Sequence, residues 1–372
     1  MRYSRKRGVN REMYKKGIAM LIAAAVTLPL CGCDTAREAA ADTSITTLTM
    51  LKPKGMKGFS EISDKYERTH ANVQLKLIDV TDSTNEVYKI YEASLTGRDS
   101  DIDLLVIDEI WTQELVHSGY LEPLNFETDK YEPLSEKFFT SGGKMYALPF
   151  ALDIGAIFYR KDRVQKAPQS MEDIFNEGVF PVFEKKQDED LLCAAIELGK
   201  DLERAYPYFA DSIGENSGDL RTKFKNGEIN YYRGWSKDYA YFNDYDFEIG
   251  GNVGVMIPKT PVAGGYGIAV SSFSRNKQTA FEFLEYLSDP SDIREILKRA
   301  GYIPTQKEYL TDEMFADYNP CMYKIEETLG KAATRISDRE YVKKAWELQE
   351  ELYKSISENT AAPKLDDIYE VK

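Results

Sequence analysis

Five side chains in this sequence are suited to gripping a small polar molecule: Asp108, Trp111, Asp153, Trp235 and Tyr266. Asp108 directly follows the apolar run IDLLVI (102–107), and Trp111 stands three residues further on. An indole face accepts the C–H groups of a sugar ring, while a carboxylate beside it accepts hydroxyl protons in charge-assisted hydrogen bonds. Each residue also has a plainer reading. Asp108 is placed to cap a following helix, a role compatible with binding, and Trp111 is placed to enter the core. Asp153 interrupts the apolar segment ALDIGAIFYR and faces either a surface edge or a cleft, because buried carboxylates are rare without partners. Trp235, after Arg233 and Gly234, is a core aromatic or a ligand platform. Tyr266 follows Gly264 and Gly265, a pair that suits a hinge or the close approach of a ligand. Trp346 reads as core, and the Tyr/Phe cluster 239–247 as packing and surface.

Other chemistries lack material. With only His70 and His117, neither a multi-histidine metal site nor a Ser-His-Asp triad can be assembled. His70 follows the charged residues Lys65, Glu67 and Arg68 and reads as solvated. No Gly-x-x-x-x-Gly-Lys-Ser/Thr segment is present to cradle a nucleotide phosphate. No cofactor and no metal are expected. A glycan-cleaving pair such as Asp108 and Asp153 is the distant alternative, and in so acidic a chain carboxylate pairs arise by chance.

The elements that must position these residues alternate. Strands are expected at 45–51, 73–80 and 102–107, with helices at 56–69, 85–97 and 110–118 between and after them. This order argues an α/β fold with a parallel sheet and right-handed crossovers. Ligands of such sheets gather beyond the carboxyl ends of the strands, where Asp108 stands. Residues 142–160 read as a turn, a short strand, a Pro-marked crossing and a second strand. A helix starts near Ser170, with Glu172 and Asp173 in its first turn. The charge run 184–190 (EKKQDED) reads as a solvated face. Helix, strand and aromatic-rich helix follow at 220–226, 229–233 and 235–245, then strands at 253–257 and 266–270. The remainder reads as helical: 276–287, 292–300, 321–336 and 339–357, the last with Val342, Ala345, Leu348, Leu352 and Ile356 on one stripe.

The N-terminus reads as a targeting segment. Seven basic side chains and one acid in residues 2–16 precede an apolar run of 13 residues from Ile18 to Leu30, too short to span a bilayer. Cleavage before Cys33 leaves small Gly32 upstream and Leu30 three positions back, an arrangement resembling a lipobox. Cleavage before Cys31 would leave bulky Leu30 and Pro29. Cys33 is thus expected to become the lipidated first residue, carrying palmitate-like acyl chains and anchoring the chain outside the cytoplasmic membrane. A secretory signal cut near Ala41 is the alternative. Residues 1–32 are then a signal peptide and 33–44 a flexible tether. Beyond residue 32 there remain 340 residues with 41 basic and 61 acidic side chains, a net charge near −20. Such a charge disfavours nucleic acid as a partner. Cys193 and Cys321 do not make a disulfide scaffold, and the sequence favours leaving them unpaired.

Three ordered signatures resemble those of the extracellular solute-binding proteins of ABC importers, family 1, the maltose/trehalose-type sugar-binding lipoproteins. They are DLLVIDEIW (103–111) running into SGYLEPL (118–124); GKMYALPF (143–150) followed by AIFYRKD (156–162); and GGYGIAV (264–270) with AFEFL (280–284) and GYIPT (301–305). The resemblance covers nearly the whole chain beyond the tether. It implies a two-lobed periplasmic-binding-protein-like fold of type II, with ligand held in the interdomain cleft. Lobe I would take 45–150 and 267–303, and lobe II 151–266 and 304–372. Asp108, Trp111, Asp153, Trp235 and Tyr266 fall where such proteins contact sugar, although relatives often carry Trp at the position of Tyr266. The expected protein is a monomeric, non-enzymatic receptor that closes on a carbohydrate and delivers it to ABC permease subunits. The same fold binding a polyamine, an amino acid or another small solute is the alternative, as is a role in reporting ligand to a membrane sensor.

Overall fold

The computed structural model describes residues 44–81, 83–177, 189–209, 217–242, 249–336 and 338–371. The leader, Cys33, the tether to residue 43 and residues 184–188 of the charge run lie outside the described residues.

The first half alternates as its sequence pattern predicts. Strands β1 (Thr46–Lys52), β2 (Val73–Asp79) and β3 (Leu104–Asp108) form a parallel group in the order β2-β1-β3. The helices Phe59–Thr69 and Thr84–Thr96 make the crossovers. β2 shows Val73 and Leu75 buried and Gln74 and Lys76 exposed, whereas every residue of β3 is buried. β3 is thus buried along its whole length and apolar from Leu104 to Ile107, as a strand covered on both faces must be, with Asp108 closing it. Asp103, just ahead of it, accepts from Thr49 N at 2.8 Å and from Asn276 Nδ2 at 3.2 Å, so this buried carboxylate fastens β3 to its neighbours.

After the hairpin β4 (Thr140–Ser141) and β5 (Lys144–Met145), β6 runs unbroken from Ala147 to Arg160. The expected pair of strands separated at Pro149 is therefore one strand. Its register against the partner shifts between Pro149 and Ala151, and this bulge absorbs the proline's missing donor. β7 (Tyr231–Trp235) and β8 (Val253–Met256) flank the later half of β6. β9 (Val262–Val270) pairs antiparallel with the earlier half.

β9 serves two neighbourhoods. Residues 266–270 pair with β3, and Val262 and Ala263 pair with β10 (Ala333–Arg335), which in turn pairs with β11 (Tyr369–Val371). Gly265 lies in this crossing, and a Cβ there would stand 2.7 Å from the Ala151 carbonyl oxygen. Backbone cannot yield as a flexible side chain does. Gly265→Ala is expected to lose about 1–3 kcal/mol of stability, the range for overpacking, and an unchanged melting temperature would contradict this reading.

Two helical expectations give way. The span 321–336 is a 3₁₀ turn Pro320–Met322, a short helix Ile325–Leu329 and β10. Asn319 caps the turn by accepting from Cys321 N at 3.0 Å, and Lys324 adopts a left-handed φ of 57°. The aromatic-rich helix starts at Asp238, after Trp235 closes β7, and is described to Phe242; residues 243–245 of its expected span lie outside the described residues. The helix Tyr341–Glu358 docks by its anticipated stripe, yet Trp346 is only partly buried and donates to Asn85 Oδ1 at 2.7 Å. Helix Met171–Asn176 starts with a reciprocal capping box between Ser170 and Asp173. Cys193 and Cys321 are both free and buried, and burial pushes both thiols up.

Candidate ligand-binding cleft

A cavity of about 270 Å³ opens where β6, β9 and the end of β7 meet. Asp108, Asp153, Trp235 and Tyr266 line it, as the sequence suggests. Trp111 does not. It is 2% exposed and packs against the rings of Tyr88 and Tyr91, so its core reading is the one the fold adopts. The 3₁₀ turn that Asp108 caps, accepting from Ile110 N at 3.4 Å, turns the indole inward.

Asp153 and Tyr266 come from neighbouring strands, because Asp153 is in register with Gly264 and Ala151 with Tyr266. Asp153 is buried among donors. The Ser236 hydroxyl and Lys237 N donate to Oδ1, and Lys237 Nζ donates to Oδ2 at 2.9 Å. The same ammonium donates to the Tyr266 hydroxyl at 3.0 Å and lies 4.9 Å from the centre of the Tyr266 ring. Burial by itself would lower the Lys237 pKa, but Asp153, Tyr266 and Asp238 raise it well above the usual lysine value. Lys237 is therefore charged across the physiological range.

Trp235 is held edge and backbone. Its Nε1 donates to Asp190 Oδ1 at 3.0 Å, and its N–H donates to Asp238 Oδ2 at 3.0 Å. Asp190 in turn accepts from Arg233 Nη1 at 3.3 Å, and Arg233 grips Glu197 with two further donors at 2.8 and 3.0 Å. This chain of charge-assisted bonds fixes the indole plane before any ligand arrives.

Arg335 gathers three carboxylates. Nη1 donates to Glu189 Oε2 at 2.6 Å, Nε lies 2.9 Å from Glu109 Oε1, and Nη2 lies 3.6 Å from Asp108 Oδ1. One cation does not balance three buried acids. Burial first, then the charges of Asp108 and Glu189, push the Glu109 carboxyl up to about 8 against the pull of Arg335. Asp108 and Glu189 are raised as well, mainly by burial.

Along one edge the walls touch. Lys57 Nζ donates to the Ala240 carbonyl at 3.1 Å, and the Tyr302 hydroxyl donates to the Lys57 carbonyl at 3.0 Å. Asn319 Nδ2 bridges the carbonyls of Ser236 and Gly301, at 3.1 and 2.7 Å. Gly301, in a left-handed conformation with φ 77°, lets the chain pass so close that a Cβ would lie 2.6 Å from Ala240 Cβ.

Glu189 and Asp190 do not lie on the solvated face that the charge run suggests: both line the cavity and both are largely shielded from water. The signal was the segment that follows, DLLCAAIEL, whose residues 191–196 are all buried. A helix buried on nearly every side carries its first turn inside too, and Asp190 and Glu197, seven residues apart, share the face that meets Arg233. Arg335 was hidden because its stretch read as helix, and Lys237 because charges beside a Trp are ordinary. Among the described residues no cluster of histidines, cysteines and carboxylates is arranged to hold a metal, and no helix is long and apolar enough to cross a membrane.

Residues 61–320 match the model of the bacterial extracellular solute-binding protein family. A probable ABC transporter-binding protein of Deinococcus radiodurans is 24% identical over 337 residues, covering 74% of this chain and 79% of that protein. The maltose-bound MalE3 of T. maritima superposes with a TM-score of 0.73 at 21% identity, covering 85% of this chain and 96% of that one. A solute-binding protein of Thermotoga lettingae with bound α-D-tagatose also gives a TM-score of 0.73, at 16% identity and covering 85% and 95%. The fold is that of the two-lobed periplasmic sugar-binding proteins. The chain belongs to the bacterial extracellular solute-binding protein family.

Proposed function

We propose that this protein is a receptor tethered outside the membrane through Cys33, which closes two lobes on a neutral carbohydrate or polyol and delivers it to an ABC permease. The lining of the cleft carries the reading. Five cationic side chains (Lys54, Lys57, Arg221, Lys237, Arg335) and five carboxylates (Asp108, Asp153, Glu189, Asp190, Asp238) are interleaved there among the described residues, with Trp235 and Tyr266 beside them. A polyhydroxy solute both donates and accepts hydrogen bonds, so it satisfies such a wall without bringing charge of its own. Similarity to maltose- and tagatose-bound proteins agrees with this class.

Division into lobes near residues 150, 266 and 303 is supported by β9, whose two ends join different strands. The contacts of Lys57 and Gly301 with Ala240 then join lobe I to lobe II, and ligand bridging the lobes favours this closed arrangement by its differential affinity. The receptor reading needs no covalent chemistry. Asp153 is matched to the Lys237 ammonium, and Asp108 is occupied as a cap and as a neighbour of Arg335.

A thermal-shift screen of residues 44–372 against monosaccharides, oligosaccharides, polyols, polyamines and amino acids tests the class, because a ligand bound only by the native state raises its melting temperature. A shift with a carbohydrate or polyol series is the expected outcome, and a shift with amines or amino acids alone would overturn it. With the ligand in hand, Trp235→Ala and Asp153→Ala are each expected to weaken binding more than tenfold, about 1.4 kcal/mol. Unchanged affinity in both would remove the site assignment.

A further inference from the structure

Lys237 stands where a cationic ligand would sit. Its ammonium is bonded to Asp153 Oδ2 at 2.9 Å and to the Tyr266 hydroxyl at 3.0 Å, and it lies 4.9 and 5.8 Å from the ring centres of Tyr266 and Trp235. A carboxylate, a phenol oxygen and two aromatic rings are the parts from which proteins build boxes for alkylammonium ions. Asp238 and Asp108 also act on the same ammonium, each of them shared with an arginine, Arg221 and Arg335. The box is not sealed off: the Lys237 side chain remains 29% exposed and lines the cavity, while Asp153 behind it is 4% exposed.

We propose that Lys237 is a specificity-determining residue of the cleft: its tethered ammonium fills an amine-binding box, so free amines and polyamines are turned away and neutral polyhydroxy solutes are admitted. This rests on the carbohydrate reading of the site and sharpens it. A second ammonium entering the cleft meets a like charge at close range in a poorly screened environment, and it finds the best carboxylate already taken. A hydroxyl suffers no such repulsion. It can accept from the ammonium and donate to a neighbouring carboxylate, so the occupant that excludes one ligand class helps to hold the other.

The experiment removes the occupant and supplies a free one. Lys237→Ala, in residues 44–372, is titrated with butylammonium and with putrescine while the melting temperature is followed. About 10 mM amine is expected to raise the melting temperature of the variant by about 3 °C or more and that of the parent by less than about 0.5 °C. Asp153→Asn added to Lys237→Ala is expected to abolish the response. Stabilisation of the parent by amine to the same extent overturns the proposal, as does failure of amine to stabilise the variant. Should Lys237→Ala be unfolded alone, recovery of its native circular dichroism by butylammonium is the readout, and no recovery is the negative result. The carbohydrate reading is judged separately, by the sugar and polyol response of the parent. An amine response confined to Lys237→Ala, with a parent that binds no polyol, would leave the box standing and the ligand class wrong.

Discussion

Arg335→Met is expected to lower the melting temperature at pH 7 by roughly 4–7 °C, corresponding to about 3–5 kcal/mol for removing one partner from a buried ionic cluster. The cause lies in what remains. Glu109 is fully buried, Glu189 is 6% exposed and Asp108 7% exposed, and Arg335 reaches all three. Without it, three carboxyls face one another in a region poor in water, and each can avoid charge only by holding a proton. The deficit should therefore shrink as the solution is made acidic. Melting curves at pH 5 and pH 7.5 decide: a similar loss at both would mean that Arg335 acts through packing. Combining Arg335→Met with Glu109→Gln should recover part of the loss, because the two residues touch and their effects cannot add independently.

Glu109 supplies the second large effect. Its carboxyl is raised from 4.5 to about 8 in the folded protein, by burial first and then by Asp108 and Glu189. A raised acid holds its proton more tightly when folded than when unfolded. The stability linked to it is fully present below pH 4.5, declines as the pH climbs toward 8, and is gone above that. The slope for one such group is at most about 1.4 kcal/mol per pH unit. Among the described residues Arg335, Asp108, Glu189 and the Tyr341 phenol act on Glu109, and the two other carboxyls, also raised, slope the same way. Parent protein should thus melt at progressively lower temperature from pH 5 to pH 8, and Glu109→Gln should flatten that trend. A parent that gains stability over this interval, or a Gln variant with an unaltered slope, would refute the assignment.

Much of the scaffold could be read from local pattern. The alternation in VQLKLID, the solid apolar run at β3 and the helical stripe ending at Ile356 each report burial directly, because the period of the apolar residues is the period of the element. Four of the five sequence-suggested residues line the cavity for a related reason: they sit at strand ends or in the crossing strands. What escaped was set by long-range pairing. β10 reads as helix until Val262 and Ala263 supply its partner, and only then does Arg335 point at Asp108 and Glu109. Glu189 and Asp190 look like solvent-facing charges until Arg335, Arg233 and Trp235, from distant parts of the chain, come to meet them. Trp111 follows its core reading, although its own neighbourhood does not specify the two tyrosine rings of another helix that receive it.

Cys193 and Cys321 give residues 44–372 a pair of internal stopwatches. They are the sole thiols of that stretch, both are inaccessible and both resist ionisation, so a maleimide in solution finds neither until the surrounding structure opens. Cys193 rides on the helix that begins at Asp190 and so keeps time for the support beneath Trp235. Cys321 follows Asn319, the residue that ties Ser236 to Gly301, and keeps time for the edge where the walls touch. Mass spectrometry of labelled peptides would show which of the two lets go first, and whether a bound solute slows one clock or both.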